Sequence, residues 1–245
     1  MIGRILFASA IMGLAAPALA EPPCAGTPLA TGTVSAVRDG RTLTLADGRE
    51  IRLAGIEAPA DGAQLRALAA GQTLRIERVS DDRYGRIVAF ATLGDGSELL
   101  QLALLKAGQA RVSARPGSRT CAAALLAAER MGRAAHLGLW ADPNFAPLSS
   151  ENLTMLAAGT GHFALVEGQV LSVRESGSTI YVNFGRRWTR DFSVTIPKRE
   201  ARNFAAAGIE PKTLERRRIR VRGTIEQRGG PIIDVTAPEQ IELID

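Results

Sequence analysis

The stretch that decides the fold is Thr42-Leu43-Thr44-Leu45-Ala46-Asp47-Gly48-Arg49-Glu50-Ile51-Arg52-Leu53. Apolar residues alternate on both sides of Asp47-Gly48, and that dipeptide is a strong hairpin signal. The pattern predicts one strand over Thr42 to Leu45 and another from Arg49 to Ile56. Working outward, Gly32 to Val37 alternates small or polar with apolar residues and ends at the turn Asp39-Gly40. Downstream, Ala63 to Ala70 has helical spacing, with Leu65 and Leu68 on one face and Gly71 as its stop. Thr73 to Val79 and Ile87 to Leu93 read as strands. Leu99 to Ala107 and the alanine-rich Thr120 to His136 read as helices.

Residues 141–161 are a predicted linker containing Pro143, Pro147 and Gly159, with a short helix around Leu153 to Ala158. The strand grammar then restarts. Leu165 to Val173, Thr179 to Phe184 and Phe192 to Ile196 read as strands, and Lys198 to Ala207 as a helix closed by Gly208. Arg218 to Glu226 and Ile232 to Val235 are strands around Arg228-Gly229-Gly230, and a last strand covers Ile241 to Ile244. The order strand-strand-strand-helix-strand-strand thus appears twice, without a residue-level repeat. It is the order of the five-stranded OB barrel, which often binds oligonucleotides or oligosaccharides. The expected class is mainly β with helices (α+β). A first OB-fold domain over 24–140 and the linker precede a second small OB-like β-barrel over 162–245.

Met1 to Ala20 reads as a cleaved signal peptide: Arg4, an apolar stretch from Ile5 to Ala16, then Ala18-Leu19-Ala20. That implies a periplasmic or secreted protein with no membrane attachment after cleavage. Cys24 and Cys121 are the only cysteines, and in an exported chain they imply one disulfide. The formal charge of +5 favours phosphate-rich partners. No spacing suggests a zinc site, a Ser-His-Asp or Cys-His arrangement, or a phosphate loop. His136 near a helix end suits the helix dipole.

Three segments stand out together: Val37-Arg38-Asp39-Gly40-Arg41-Thr42, Ile51-Arg52-Leu53-Ala54-Gly55-Ile56-Glu57-Ala58-Pro59, and Asp82-Arg83-Tyr84-Gly85-Arg86, with Gly138-Leu139-Trp140 closing the domain. In this order, over Thr31 to Trp140, they resemble the thermonuclease family, the staphylococcal nuclease-like domain. The resemblance implies an OB barrel with three helices. It also implies cleavage of DNA and RNA phosphodiesters with Ca²⁺. Arg52 and Arg86 match the family's two phosphate-binding arginines, whose planar forks can each give two hydrogen bonds to one phosphate.

The acidic half of the family pattern is depleted. Arg41 stands where the family has a second Asp, Glu57 where it has Asp, and Ala60 where it has its general-base Glu. Ala114 stands where some members place a base-stacking Tyr. Ca²⁺ wants about 6–8 oxygen ligands, and losing a general base typically costs ~10²–10⁴ in rate. Calcium is therefore the implied cofactor of a degraded site, no metal ligands are assigned, and whether the chain is an enzyme stays open. Arg41 can act as a built-in cation on the phosphate, paired with Glu57. Asp61 is a substitute base or, more commonly for such a residue, a helix-start acid.

The expected partner is single-stranded DNA or RNA. Tyr84, Trp188 and Arg187 are candidate nucleic-acid contacts; Tyr181, Phe184, Trp188 and Phe192 lie among Arg186, Arg187 and Arg190, a mixture that suits either base stacking or a core beside a solvated loop. Three functions remain in play: a phosphodiester-binding protein with weak or lost cleavage, a phosphodiesterase using Glu57 or Asp61 with little need of calcium, and an envelope protein-interaction module.

Overall fold

The Asp47-Gly48 hairpin forms as read, in a computed structural model that describes residues 23–94, 96 and 98–244. The expected signal peptide lies outside the described residues. Strand β1 (Thr27–Asp39) leads into β2 (Thr42–Leu45), which pairs with β3 (Glu50–Leu53) so that Thr42 faces Arg52 and Thr44 faces Glu50. Alternation sends Leu43, Leu45, Ile51 and Leu53 into the core. The third strand ends earlier than expected. Ala54 and Gly55 turn the chain, Gly55 has φ +76°, and β4 (Ile56–Glu57) leaves the barrel.

Helix α1 (Ala63–Ala69) is followed by β5 (Thr73–Asp81) and β6 (Ile87–Leu93), then α2 (Leu100–Lys106). Short β7 (Arg111–Val112) pairs with β4, and α3 (Arg119–Ala134) packs behind. The barrel closes in the order β1-β2-β3-β6-β5, with β3 and β6 parallel. Ser118 caps α3 by accepting from the Cys121 amide at 3.3 Å, and Cys121 is disulfide-bonded to Cys24. That crosslink closes a loop of 97 residues, for which chain entropy gives at most ~4–5 kcal/mol.

The second half begins with β8 (Leu148–Ser149) and α4 (Leu153–Ala158). Strands β9 (Phe163–Gln169), β10 (Ser172–Ser176), β11 (Thr179–Asn183) and β12 (Ser193–Pro197) follow. Then come α5 (Ala201–Ala206), β13 (Arg218–Thr224), β14 (Glu226–Arg228), β15 (Gly230–Asp234) and β16 (Ile241–Leu243). Its pairing repeats the first barrel's plan. The third strand β12 runs parallel to the fifth, β15, as β3 does to β6. The fourth strand β13 pairs with the first, β9, as β5 does with β1.

One expectation is refined here. Leu165 to Val173 is two strands, because the chain changes partner at its middle. Val170 donates to the Arg217 carbonyl at 2.9 Å, and Leu171 to that of Asn183 at 2.8 Å. The ladder therefore splits into two sheets, β10-β11-β12-β15-β14 and β16-β13-β9-β8, around a core that includes Phe192, Phe204, Ile219 and Val221.

Arg222 of β13 reaches across to the first barrel and is completely buried. It donates to the Val112 carbonyl at 2.9 Å and to both Glu129 carboxylate oxygens at 3.2 and 2.8 Å, and it pairs with Glu242. Burial opposes its charge, but Glu129 and Glu242 outweigh that and hold it above the ordinary arginine range.

Candidate functional site

Parallel pairing of β3 with β6 sets Arg52 opposite Val88. Arg86 lies two residues before Val88, a spacing that returns side chains to one face of a strand. Asp82 positions Arg86: its carboxylate accepts from Arg86 Nε at 2.7 Å and from the Arg86 and Tyr84 amides at 3.1 and 2.9 Å. Burial acts to raise the Asp82 carboxyl, yet the hydrogen bonds from Arg86 and Tyr84 hold it below its usual value. The Tyr84 ring lies under the guanidinium groups of Arg83 and Arg86, at 4.9 and 5.1 Å, with the residue 68% exposed.

Arg52 is half-buried, and its side chain makes no hydrogen bond or ion pair among the described residues. Burial lowers its proton affinity, and the positive charges of Arg41 and Arg86 lower it further; Glu57 and Asp39 act in the opposite direction. Three guanidinium groups from three segments therefore share one electrostatic neighbourhood.

Arg41 is held from below. Its Nη1 donates to the Ile56 carbonyl at 2.9 Å and lies 2.5 Å from the Glu57 carboxylate. Asp39 accepts from the Arg41 amide at 2.8 Å. Gly40 permits this close turn, because a Cβ there would stand 2.5 Å from the Pro59 carbonyl. Glu57 is thus already engaged by a cation, and Asp39 by a backbone amide. Asp61 is exposed and accepts from the Ala63 amide at 3.0 Å at the start of α1. Among the described residues no three His, Cys, Asp or Glu side chains are grouped as a metal would need.

Residues 50–142 match the family described as staphylococcal nuclease homologue. The first barrel is a staphylococcal nuclease-like domain. No curated protein matches the chain. The match begins on β3 and covers Arg52, Glu57 and Arg86 of the nuclease-like domain, while Asp39 and Arg41 lie just before it. Such a domain suggests nuclease or nucleic-acid-binding function.

Trp188 and Arg187 sit elsewhere, in the β11–β12 loop of the second unit. No hydrogen bond or ion pair joins that loop to Arg41, Arg52 or Arg86 among the described residues. Phe184 and Phe192 belong to the core there, with ring centroids 5.0 Å apart. Arg111 escaped sequence reading. It pairs across β4–β7 with Glu57, lies over the rings of Phe145 and Phe163, and donates to the Phe163 carbonyl at 3.4 Å. Burial lowers its proton affinity, against the pull of Glu129 and Glu57. No motif marked it.

Proposed function

We propose that this is an exported protein that binds the phosphodiesters of single-stranded nucleic acid through Arg52, Arg86 and Arg41, and that calcium-dependent cleavage is weak or lost. The observation that carries the reading is Arg52, a half-buried guanidinium with no hydrogen-bond or ion-pair partner among the described residues, lying in the field of Arg41 and Arg86. An anion is the natural complement to that arrangement. The residues do not fit a calcium ion: Glu57 is paired with Arg41, and a cation repels a cation at that place. The disulfide supports an oxidising, extracytoplasmic setting.

The test is binding of a labelled oligothymidine to the full chain at several salt concentrations, alongside digestion of denatured DNA with calcium and with chelator. Tight, salt-sensitive binding that Arg52→Ala and Arg86→Ala weaken, without digestion in calcium, is expected. Calcium-stimulated digestion at ordinary nuclease rates, or affinity unchanged by both substitutions, overturns the reading. Digestion that survives chelator and fails in Arg86→Ala points instead to a metal-independent phosphodiesterase.

A further inference from the structure

The loop from Phe184 to Phe192 carries Trp188, 73% exposed, on a braced frame. Phe184 donates to the Phe192 carbonyl at 3.2 Å. Inside that closure, the Asp191 carboxylate accepts from the Arg187 amide at 2.8 Å, and the Arg190 and Asp191 amides donate to the Arg187 carbonyl at 2.9 and 2.7 Å. The backbone is thus tied down while the indole stands out.

Trp188 walls a cavity of about 300 Å³ together with Arg174, Ser176, Tyr181 and Asn183. Arg174 and Tyr181 are cross-strand partners, and Asn183 is two residues along β11, on the same face. The Asn183 amide is oriented by Ser193, which donates to its oxygen at 3.3 Å, and by its own donation to Ser172 at 3.5 Å. One of its N–H groups is left over. The guanidinium groups of Arg174, Arg186 and Arg187 have no hydrogen bond or ion pair among the described residues. Two flat rings, a fixed amide and the unpaired guanidinium of Arg174 therefore meet at one opening, and Arg186 and Arg187 belong to the same loop as Trp188.

This face does not copy the phosphate-facing surface of the first barrel. The parallel seam of the second unit, between β12 and β15, includes the pair Thr195 and Asp234. Thr195 donates to Asp234, and Asp234 pairs with Arg228. A carboxylate thus stands near the corresponding seam.

We propose that the cavity beneath Trp188 takes one base of single-stranded nucleic acid, stacked on Trp188 and Tyr181, with Arg174, Arg186 and Arg187 meeting the flanking phosphates. The inference rests on the nucleic-acid reading of the first barrel and adds a second site to it. Every nucleobase offers a π-face for stacking, and the cavity joins the β10–β11 strand face to the loop that carries Trp188. A neutral oligosaccharide would use the rings and leave the cations without a partner.

The experiment follows tryptophan fluorescence as a short oligothymidine is added to the full chain, to an Arg52→Ala/Arg86→Ala variant, to Trp188→Phe and to Trp188→Ala. Quenching is expected in the first two and absent in Trp188→Phe. Affinity in Trp188→Ala should fall about tenfold, with an unchanged circular dichroism spectrum. Equal affinity of the double arginine variant and the wild type, with Trp188 still quenched, would sink the first-barrel reading and leave this one standing. Binding that Arg52 and Arg86 govern, without any change at Trp188, overturns this one alone. Quenching lost in the double arginine variant, or produced by a neutral oligosaccharide and not by the oligonucleotide, also overturns it, and no binding by any form overturns both.

Discussion

Arg222 of β13 and Glu129 of α3 meet at 2.8 Å with both side chains fully buried, between two distinct hydrophobic cores. Glu129 also accepts from the Val112 amide at 2.8 Å, so this carboxylate anchors both the strand after α2 and the neighbouring unit. Arg222 Nε, by contrast, is buried without a hydrogen-bond partner among the described residues. The pair therefore holds the two units in register, at a desolvation cost that its hydrogen bonds offset only in part.

Breaking that pair from one side leaves a buried charge undercompensated: among the described residues Arg222 keeps only Glu242 as an ion-pair partner, and Glu129 keeps only Arg133, at 3.5 Å. Arg222→Met or Glu129→Gln should each lower stability by about 3–5 kcal/mol, measured as a shift in the urea midpoint. A double Arg222→Met/Glu129→Leu variant should lose clearly less than the sum. Strict additivity would mean that the two residues do not act as a pair.

Glu242 gives the protein an acid sensitivity. Burial raises its carboxyl, but Arg222, Arg133 and Arg220 outweigh that and hold it below the usual glutamate range. A carboxyl whose folded value is depressed contributes stability above its unfolded value, and that contribution disappears as pH falls toward the folded value. Urea midpoints between neutral pH and pH ~3 should therefore fall more steeply in the wild type than in Glu242→Gln. Equal slopes would remove Glu242 from the account.

On the proposed reading, replacing Arg41 by an acid should create an ion site. Arg41→Asp with Ala60→Glu frees Glu57 and returns two carboxylates to the turn. Calorimetric titration with calcium should show binding in this variant that the wild type lacks. Should the wild type bind calcium as well as the variant does, the displacement of the metal by Arg41 is wrong.

The arginines should also appear in the salt dependence. Each phosphate contact on a single strand contributes roughly −0.7 to the slope of log K against log salt. Arg52→Ala and Arg86→Ala should each flatten the slope by about that amount, across oligonucleotides of different sequence.

Much of the fold was legible because alternation and turn chemistry are local. Thr42 to Leu45, Ile87 to Leu93 and the short helix Leu153 to Ala158 lie at the limits their residues suggest. The breaks were less visible. Arg49 to Ile56 reads as one strand, yet Gly55, at φ +76°, turns the chain where a Cβ would stand 2.8 Å from Leu125 and 3.1 Å from the Pro116 carbonyl. The split at Val170 and Leu171 depends on a change of partner, which no single segment encodes. The candidate site was half legible. Motif order brought Arg52 and Arg86 to attention, but whether Arg41 would meet Glu57 was a matter of tertiary placement. Glu129 did leave a trace that could have been followed: with Cys121 and Leu125 it sits at four-residue spacing on the buried stripe of α3. An acid on such a stripe asks for a partner, and Arg222 lies 93 residues away.

The Arg41–Glu57 pair has a consequence for supply. A divalent ion in a surface site comes and goes with its concentration. A guanidinium attached to the backbone has no off-rate and needs no reservoir. Its positive charge is present in dilute, chelated or calcium-poor surroundings alike, so on the proposed reading the grip of this surface on an anion should follow ionic strength and not the availability of any one metal.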